Sequence, residues 1–477
     1  MVTWWRRSVL GSGGARTVAA MRIGLAVSAL LTLARLAQWG PVALGDAAPR
    51  QMFRPVGLML AWPGVPSTPV VTSIWWIAVA AAVAMLLGVF SRVAATACVF
   101  GVWFLTSYES AFSLPWSHGF SPVVLALIAF LGARGGDAWS VDAWRRRRRG
   151  APAPDADGRA YRRSIVLGAF VIAFVFGSAG ATKLYAGGLD LAWVLSDNLR
   201  NQIASRYATW GEPRTALAAW LIASPVRWQI AAALNLLAQL APVAGLFVLH
   251  RPGWRLLVGV VVAVEVLGLA LVMNFWNQHW LPLLVVFVDW DRLADRARAW
   301  SGRAIAGGGA GPASPSPRPA WRDRVGRAHA AALVVLLLSA GLGLDQRLRL
   351  YPISSFPMYA RLRVTPPYDR HLPFDVIGGR LEVTAEPPLP PGYLDALGRD
   401  LLYKKLWRAR SLALVEDGLR ELRARIQREL PGARLREVRL HRSAYRIPAY
   451  PAPPDPVVVD LGLVGALDEH GRFRGGP

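Results

Sequence analysis

The sequence predicts an all-α polytopic membrane helix bundle of about eight or nine transmembrane helices, followed by a small α+β extracytoplasmic domain. Three observations carry this. Fifty-four per cent of the 477 residues are hydrophobic, gathered in blocks rather than in amphipathic stripes. The chain holds 21 tryptophans, a residue enriched at bilayer interfaces. After residue 345 the blocks give way to short alternating strands and one charged helical stretch.

Apolar runs near membrane length fall at 22–39, 74–90, 93–108, 120–135, 164–184, 229–249, 255–273, 276–290 and 328–344, the fourth and eighth being short. Arg6, Arg7, Arg16 and Arg22 precede the first run, which continues to Trp39 without a small-residue cleavage site, so it reads as a span. Arginine-rich stretches separate the runs: the N-terminus, "WRRRRRG" at 144–150, "HRPGWR" at 250–255 and "DWDRLADRARAW" at 289–300. The positive-inside rule places all four in the cytoplasm. An even number of runs separates each from the next, so the N-terminus is expected inside and the C-terminal domain outside a plasma or inner membrane.

The chain then divides into a membrane domain at 1–300, a Gly/Pro/Ser/Ala-rich cytoplasmic linker at 301–327, a last span at 328–344 and an outer domain at 345–477. In the outer domain, strands such as "RLEVT" and "LREVRLH" flank a helical stretch near 409–430. The connection 185–228 is long and carries Trp193, Trp210, Trp220 and Trp228, which predicts interfacial helices across the outer mouth of the bundle.

A net charge of +24 raises the question of nucleic acid, but the arginines cluster in short loops and no basic–aromatic module is present. The expected partner is the lipid bilayer, and nucleic acid is not. Cys98 is the single cysteine and lies in an apolar run, which excludes an intrachain disulfide and any Cys-based metal site; no metal is expected.

Of the 54 basic residues only Lys183, Lys404 and Lys405 are lysines. Lys183 closes the fifth run, in "FGSAGATKLY", where the chain elsewhere writes positive charge as arginine. Arginine stays protonated, whereas a desolvated lysine can give up its proton and act as a base. Other polar features fall at the same predicted membrane face: Glu109 with His118 in "PWSHGF", and Asn274, Asn277, Gln278 and His279 in "MNFWNQHW". Each has a plain structural alternative, since helix-end polar groups snorkel, cap or are solvated. Glu265 lies mid-span and Arg35 lies within the first run, so these two can form a buried pair or a pair of interhelical hydrogen bonds. Asn235 and Gln239, one helical turn apart, are expected to join helices.

The stretches "LLGVFSR" (86–92), "YESAFSLPWSHGFSPVVLALIAFLGARGGDAWSVDAW" (108–144), "VFGSAGATKL" (175–184) and "VMNFWNQHW" (272–280) resemble, in order and spacing, the membrane domain of vitamin K-dependent γ-carboxylase. They are similar to its bacterial relatives, the HTTM (horizontally transferred transmembrane) domain proteins, over roughly residues 20–295. The resemblance implies Lys183 as the base that deprotonates a reduced, vitamin K-like quinone, with His118 as its hydrogen-bonding partner. Glu109, Asn274, Asn277 and His279 are then expected to bind the substrate. The family's large outer domain, which grips the propeptide of its protein substrate, has no counterpart in residues 345–477.

Two readings from different classes follow. One is a quinol-dependent membrane enzyme working at the outer face; the other is a non-catalytic platform for the maturation or assembly of an exported protein client. A transporter is a third, with Glu265 as its proton site, although no internal repeat is visible.

Overall fold

The computed structural model describes residues 8–300 and 362–476, apart from breaks at 10, 40–52, 113–118, 152–157 and 211–212 and scattered positions among 365–370 and 392–410. Between 301 and 361 it describes isolated positions only. The linker at 301–327, the last span at 328–344 and His118 therefore lie outside the described residues.

The membrane part runs through α1 (Ala15–Trp39), α2 (Thr68–Leu87), α3 (Ser91–Ala111), α4 (Ser121–Phe130), α5 (Val141–Arg148) and α6 (Gly158–Gly187). It continues with α7 (Ala192–Leu195), α8 (Asn198–Trp210), α9 (Ala216–Ile222), α10 (Pro225–Val248), α11 (Pro252–Met273), a 3-10 helix at Gln278–Phe287, and α12 (Trp290–Trp300). Five of these helices, α1, α2, α6, α10 and α11, are long and apolar enough to cross a membrane. The outward faces of α2, α10 and α11 expose Trp76, Ile77, Leu234 and Val264. Apolar side chains on the outside of a helix that is also apolar inside are what hydrocarbon surroundings favour.

Two expected spans are shorter than the apolar runs that suggested them. The run at 120–135 is helical only over Ser121–Phe130, because the chain turns at Gly132 (φ +77°) and then becomes polar. Ten residues rise about 15 Å, half a bilayer. The run at 276–290 is a 3-10 helix with Pro282 inside it, and proline supplies no N–H to an α-helical ladder. Neither helix reaches membrane length by itself. They pack against each other and against α1 and α6 in the interior of the bundle.

The C-terminal part is an antiparallel meander of β1 (Phe374–Glu386), β2 (Arg434–Ile447), β3 (Val457–Leu467) and β4 (Phe473–Gly475), in that spatial order. Its register pairs Leu381 with Leu440 and Val383 with Val438. Helix α13 (Leu412–Glu429) starts at Ser411, whose Oγ accepts the Leu414 N–H at 3.4 Å. Its buried face, Val415, Leu419, Leu422 and Ile426, repeats at helical spacing and packs on β2 and β3. The strands and helix expected near 380–384, 409–430 and 435–441 are all present.

Candidate functional site

The arginine-rich stretches meet at one end of the bundle, where their charges are tied into the fold. Asp142, in "WSVDAW", accepts hydrogen bonds from Phe90 N (3.0 Å), Ser91 N (2.8 Å) and Ser91 Oγ (2.7 Å), so it caps the start of α3. Its own N–H is held by the Gly88 carbonyl in "LLGVFSR" at 3.1 Å. Two motifs fifty residues apart thus form one corner. Asp291 caps α1 in the same way, through Arg16 N and Thr17 N at 3.1 Å and Thr17 Oγ1 at 2.7 Å. Arg22 donates to Trp139 O, Arg162 to Ser8 O and Arg255 to Val286 O, so these side chains tie neighbouring segments through backbone carbonyls.

Lys183 lies toward the opposite end, 22 residues and about 33 Å along α6 from Tyr161, whose hydroxyl donates to Asp137 at the arginine end. The local sequence brings a second helix unusually close. A Cβ at Gly177 would stand 2.4 Å from Val243 Cγ2, and one at Gly180 would stand 2.9 Å from Leu240 Cδ2. Only glycine at both positions lets α10 lie this near α6. The approach carries Asn235 and Gln239 to the lysine: Nζ donates to Asn235 Oδ1 at 2.5 Å and to Gln239 Oε1 at 2.9 Å.

Both amides then reach α11. Asn235 Nδ2 donates to Glu265 Oε1, and Gln239 Nε2 donates to the same oxygen at 3.1 Å. Each amide accepts from the amine and donates to the carboxylate, so the lysine and glutamate are joined through two parallel bridges. The Trp193 ring closes a further side, with Nζ 4.3 Å from its centroid. Lys183 and Gln239 are each 1% exposed, which leaves no bulk water to substitute for these partners.

The amine, Asn235, Glu265 and Trp193 line a cavity of about 410 Å³ whose other walls are mainly aliphatic, from α10 and α11. This size is ordinary for a small-molecule site, in the range of roughly 300–1,000 Å³. Leu234 and Val264 belong to its wall and are more than half exposed, so the cavity borders the outer, lipid-facing surface. The chamber is mostly apolar, with Lys183, Gln202, Asn235 and Glu265 as polar side chains in its lining.

Of the other expected site residues, the described ones, Glu109, Asn274, Asn277 and His279, do not line this cavity. Arg35 donates to Trp276 O at 2.5 Å and to Asn277 Oδ1 at 3.5 Å, and its charge is engaged by Glu109. His279 Nε2 and Trp280 Nε1 both meet the carbonyl of Gly119, at 2.9 and 2.7 Å, next in sequence to His118. Asn274 terminates α11 in a left-handed conformation (φ 48°) and holds Trp276 Nε1 through Oδ1 at 2.8 Å. Arg35 and Glu265 do not pair: Arg35 donates to Trp276 O and Asn277 Oδ1, and Glu265 is bridged to Lys183 by the two amides. Hydropathy places a charge at a depth in the membrane but not on a side of the helix. The role given to Asn235 and Gln239 changes with it, since they join helices by way of the lysine and glutamate.

The connection 185–228 is helical, as expected, through α7, α8 and α9. Trp193 and Trp228 are buried, while Trp220 is exposed. Helix α8 is polar and yet buried because the C-terminal part covers it. Arg200 donates to Pro448 O at 2.9 Å and Ala452 O at 2.7 Å, Asn201 Nδ2 to Arg363 O at 2.7 Å, and Arg363 Nε to Gln202 Oε1 at 2.7 Å. Tyr450 sets its ring edge-on to Trp228 at 5.4 Å. Leu199 and Gln202 of the same helix line the lysine cavity, so the C-terminal part forms the layer behind its wall.

Glu265, Asn235 and Gln239 were visible in the sequence as intramembrane polar residues but not as partners of Lys183. Their spacings did carry one signal: an i, i+4 amide pair on a helix can grip one atom from one face. Among the described residues no three His, Cys, Asp or Glu side chains converge as metal ligands. No protein-family model, curated protein or solved structure matches the chain.

Proposed function

We propose that the chain is a multi-pass enzyme of the plasma membrane, similar to the HTTM and γ-carboxylase group, in which Lys183 removes a proton from a lipid-soluble quinol. In this reading the bundle has eight or nine spans, the arginine end is cytoplasmic, and the cavity and C-terminal domain belong to the outer side. The observation that carries it is the lysine amine at the polar corner of an apolar cavity, held by two amide oxygens and backed by a carboxylate.

The geometry fits a free amine in a specific way. A neutral amine has two N–H donors and one lone pair. Asn235 and Gln239 take the two donors, which leaves the lone pair for the cavity. When a quinol O–H transfers its proton there, the O–H bond breaks, its electron pair stays on the quinolate oxygen, and the amine becomes an ammonium with a third donor for that oxygen. Glu265 supplies the countercharge across the amide bridges, in surroundings of low dielectric where such stabilisation is strong. The reaction that consumes the quinolate, with oxygen and carbon dioxide in the family it resembles, draws on no residue identified here.

Lys183→Arg tests the reading. It keeps a positive charge and hydrogen-bond donors but has no lone pair to offer at any ordinary pH. Quinol-dependent oxygen uptake by reconstituted protein is expected to fall by at least about a hundredfold, the usual worth of a positioned base, with insertion unchanged. A quinone is expected in lipid extracts of the purified wild type. Equal uptake in both proteins would replace the enzyme by the second reading, a platform for an exported client. That alternative is favoured by the extensive docking of the C-terminal domain on α8.

A further inference from the structure

We infer that the arginine end carries a binding site for the phosphate headgroup of an anionic phospholipid, in the groove between the start of α3 and helix α5. The groove encloses about 700 Å³. Its walls include Arg92, Arg134, Arg145, Arg146 and Arg149, against which stand two carboxylates, Asp137 and Asp142. The carboxylates are already engaged. Asp142 is taken up by the N-terminus of α3, and Asp137 by Arg134 at 3.0 Å, Arg146 at 3.6 Å and the Tyr161 hydroxyl at 2.8 Å. Arg92 and Arg149 face the groove with no carboxylate partner among the described residues, and Arg145 lies over the Phe90 ring, 5.8 Å from its centroid. Several guanidinium groups around one cavity, with local carboxylates saturated elsewhere, are a receptor for phosphate oxygens.

The second observation selects a lipid over a free anion. From the groove an apolar track descends one face of α3 through Val93, Ala97, Phe100 and Trp103, at helical spacing. Val93 is 71% and Phe100 51% exposed, and the Phe100 and Trp103 rings stack at 6.4 Å. Acyl chains of a headgroup seated among the arginines would lie along this track. The level is right as well: the groove adjoins Tyr161, about 33 Å along α6 from Lys183, so it stands one bilayer thickness from the amine. Basic pockets at this depth recognise anionic headgroups. The inference does not depend on the quinol reading, because no groove residue touches the lysine cavity.

Native mass spectrometry of the full-length protein with dioleoylphosphatidylglycerol, dioleoylphosphatidylcholine or inorganic phosphate tests it. Wild type is expected to retain the glycerol lipid over the choline lipid by about tenfold. In Arg92→Gln/Arg149→Gln that preference should fall to near parity, because these side chains have no ion-pair partner to lose among the described residues. Arg147→Gln, which removes an exposed arginine outside the groove, should leave it unchanged. Excess inorganic phosphate should not displace the lipid. Equal retention of the two lipids by wild type, or an equal loss in the Arg147 variant, would overturn the site. Binding of phosphate in the double-arginine-dependent manner without any lipid preference would assign the groove to a free anion instead, and overturn the lipid.

Discussion

At the arginine end, Arg22, Arg162 and Arg255 give their N–H groups to backbone carbonyls of neighbouring segments, and Asp142 and Asp291 take theirs from helix N-termini. At the other end, Lys183 donates to two side-chain amides that in turn hold Glu265, and Lys183, Asn235 and Glu265 border a cavity. The difference is between charge used as mortar and charge kept adjustable. A backbone carbonyl cannot leave its place without unfolding a helix end, and a guanidinium cannot lose its proton. An amine linked through amides to a carboxylate can change protonation while every neighbour stays put. Lys183, Asn235 and Glu265 adjoin a free volume, and a buried ionisable group beside a cavity is a candidate for chemistry.

The strongest way to break this comparison is to unpair the lysine end. Glu265→Gln leaves a buried ammonium or amine without its countercharge, and loss of one partner of a buried pair costs about 3 kcal/mol or more. Its thermal midpoint in detergent is expected to drop well below that of wild type, and quinol-dependent uptake to fall by about tenfold. Lys183→Met/Glu265→Gln removes both charges, and most of the stability should return while uptake remains abolished. If the double variant is less stable than either single one, the pair is not coupled and the lysine end is mortar too.

Sequence alone made the lysine legible because composition did the work: one lysine among arginines in a span is an anomaly that needs no fold to notice. It also made the bundle legible, since blocks of apolar residues report depth directly. What it could not supply was azimuth. Glu265 and Arg35 lie in apolar helices whose every face is hydrophobic, so periodicity did not say which neighbour each would meet. The buried polar face of α8 was hidden for a different reason: its partners Pro448 and Ala452 lie about 250 residues away in another part of the chain. The 3-10 form of Gln278–Phe287 was hidden because hydropathy counts Pro282 and leucine alike as lacking charge, whereas the backbone does not.

A smaller effect is expected from the glycines that set the spacing of the lysine end. In Gly177→Ala the new methyl would meet Val243 Cγ2 at 2.4 Å, so α6 and α10 must separate or Val243 must turn. Overpacking of this kind costs roughly 1–3 kcal/mol. Because Lys183 sits six residues further along the same helix, the separation should also lengthen its bonds to Asn235 and Gln239. Reduced uptake should therefore accompany the lower thermal midpoint. Gly177→Ala/Val243→Ala should restore both. Failure of the second substitution to restore uptake would show that helix spacing is not what positions the amine.

The smallest expected effect sharpens the arginine end, and it depends on pH. Burial alone would push the Asp142 carboxyl up, but the Ser91 backbone and side-chain donors, the Phe90 N–H and the Arg145 charge outweigh it, so the group is held below the ordinary aspartate range. A carboxyl lowered by folding adds stability that is complete above its unfolded value, about 3.9, and is lost as pH falls through the lower folded value. Wild type should thus hold its midpoint from neutral pH down to about pH 4 as far as this group is concerned, and weaken below. Asp142→Ala loses the cap at every pH, about 1 kcal/mol at neutrality, since a capping side chain is worth that much. The gap between the two melting curves should therefore close as the solution is acidified. Uptake should be unaffected at neutral pH, because Asp142 caps α3 about a bilayer thickness from the amine. A gap that stays constant into acid would mean that the cap acts through shape alone and that the carboxylate charge contributes nothing to this corner.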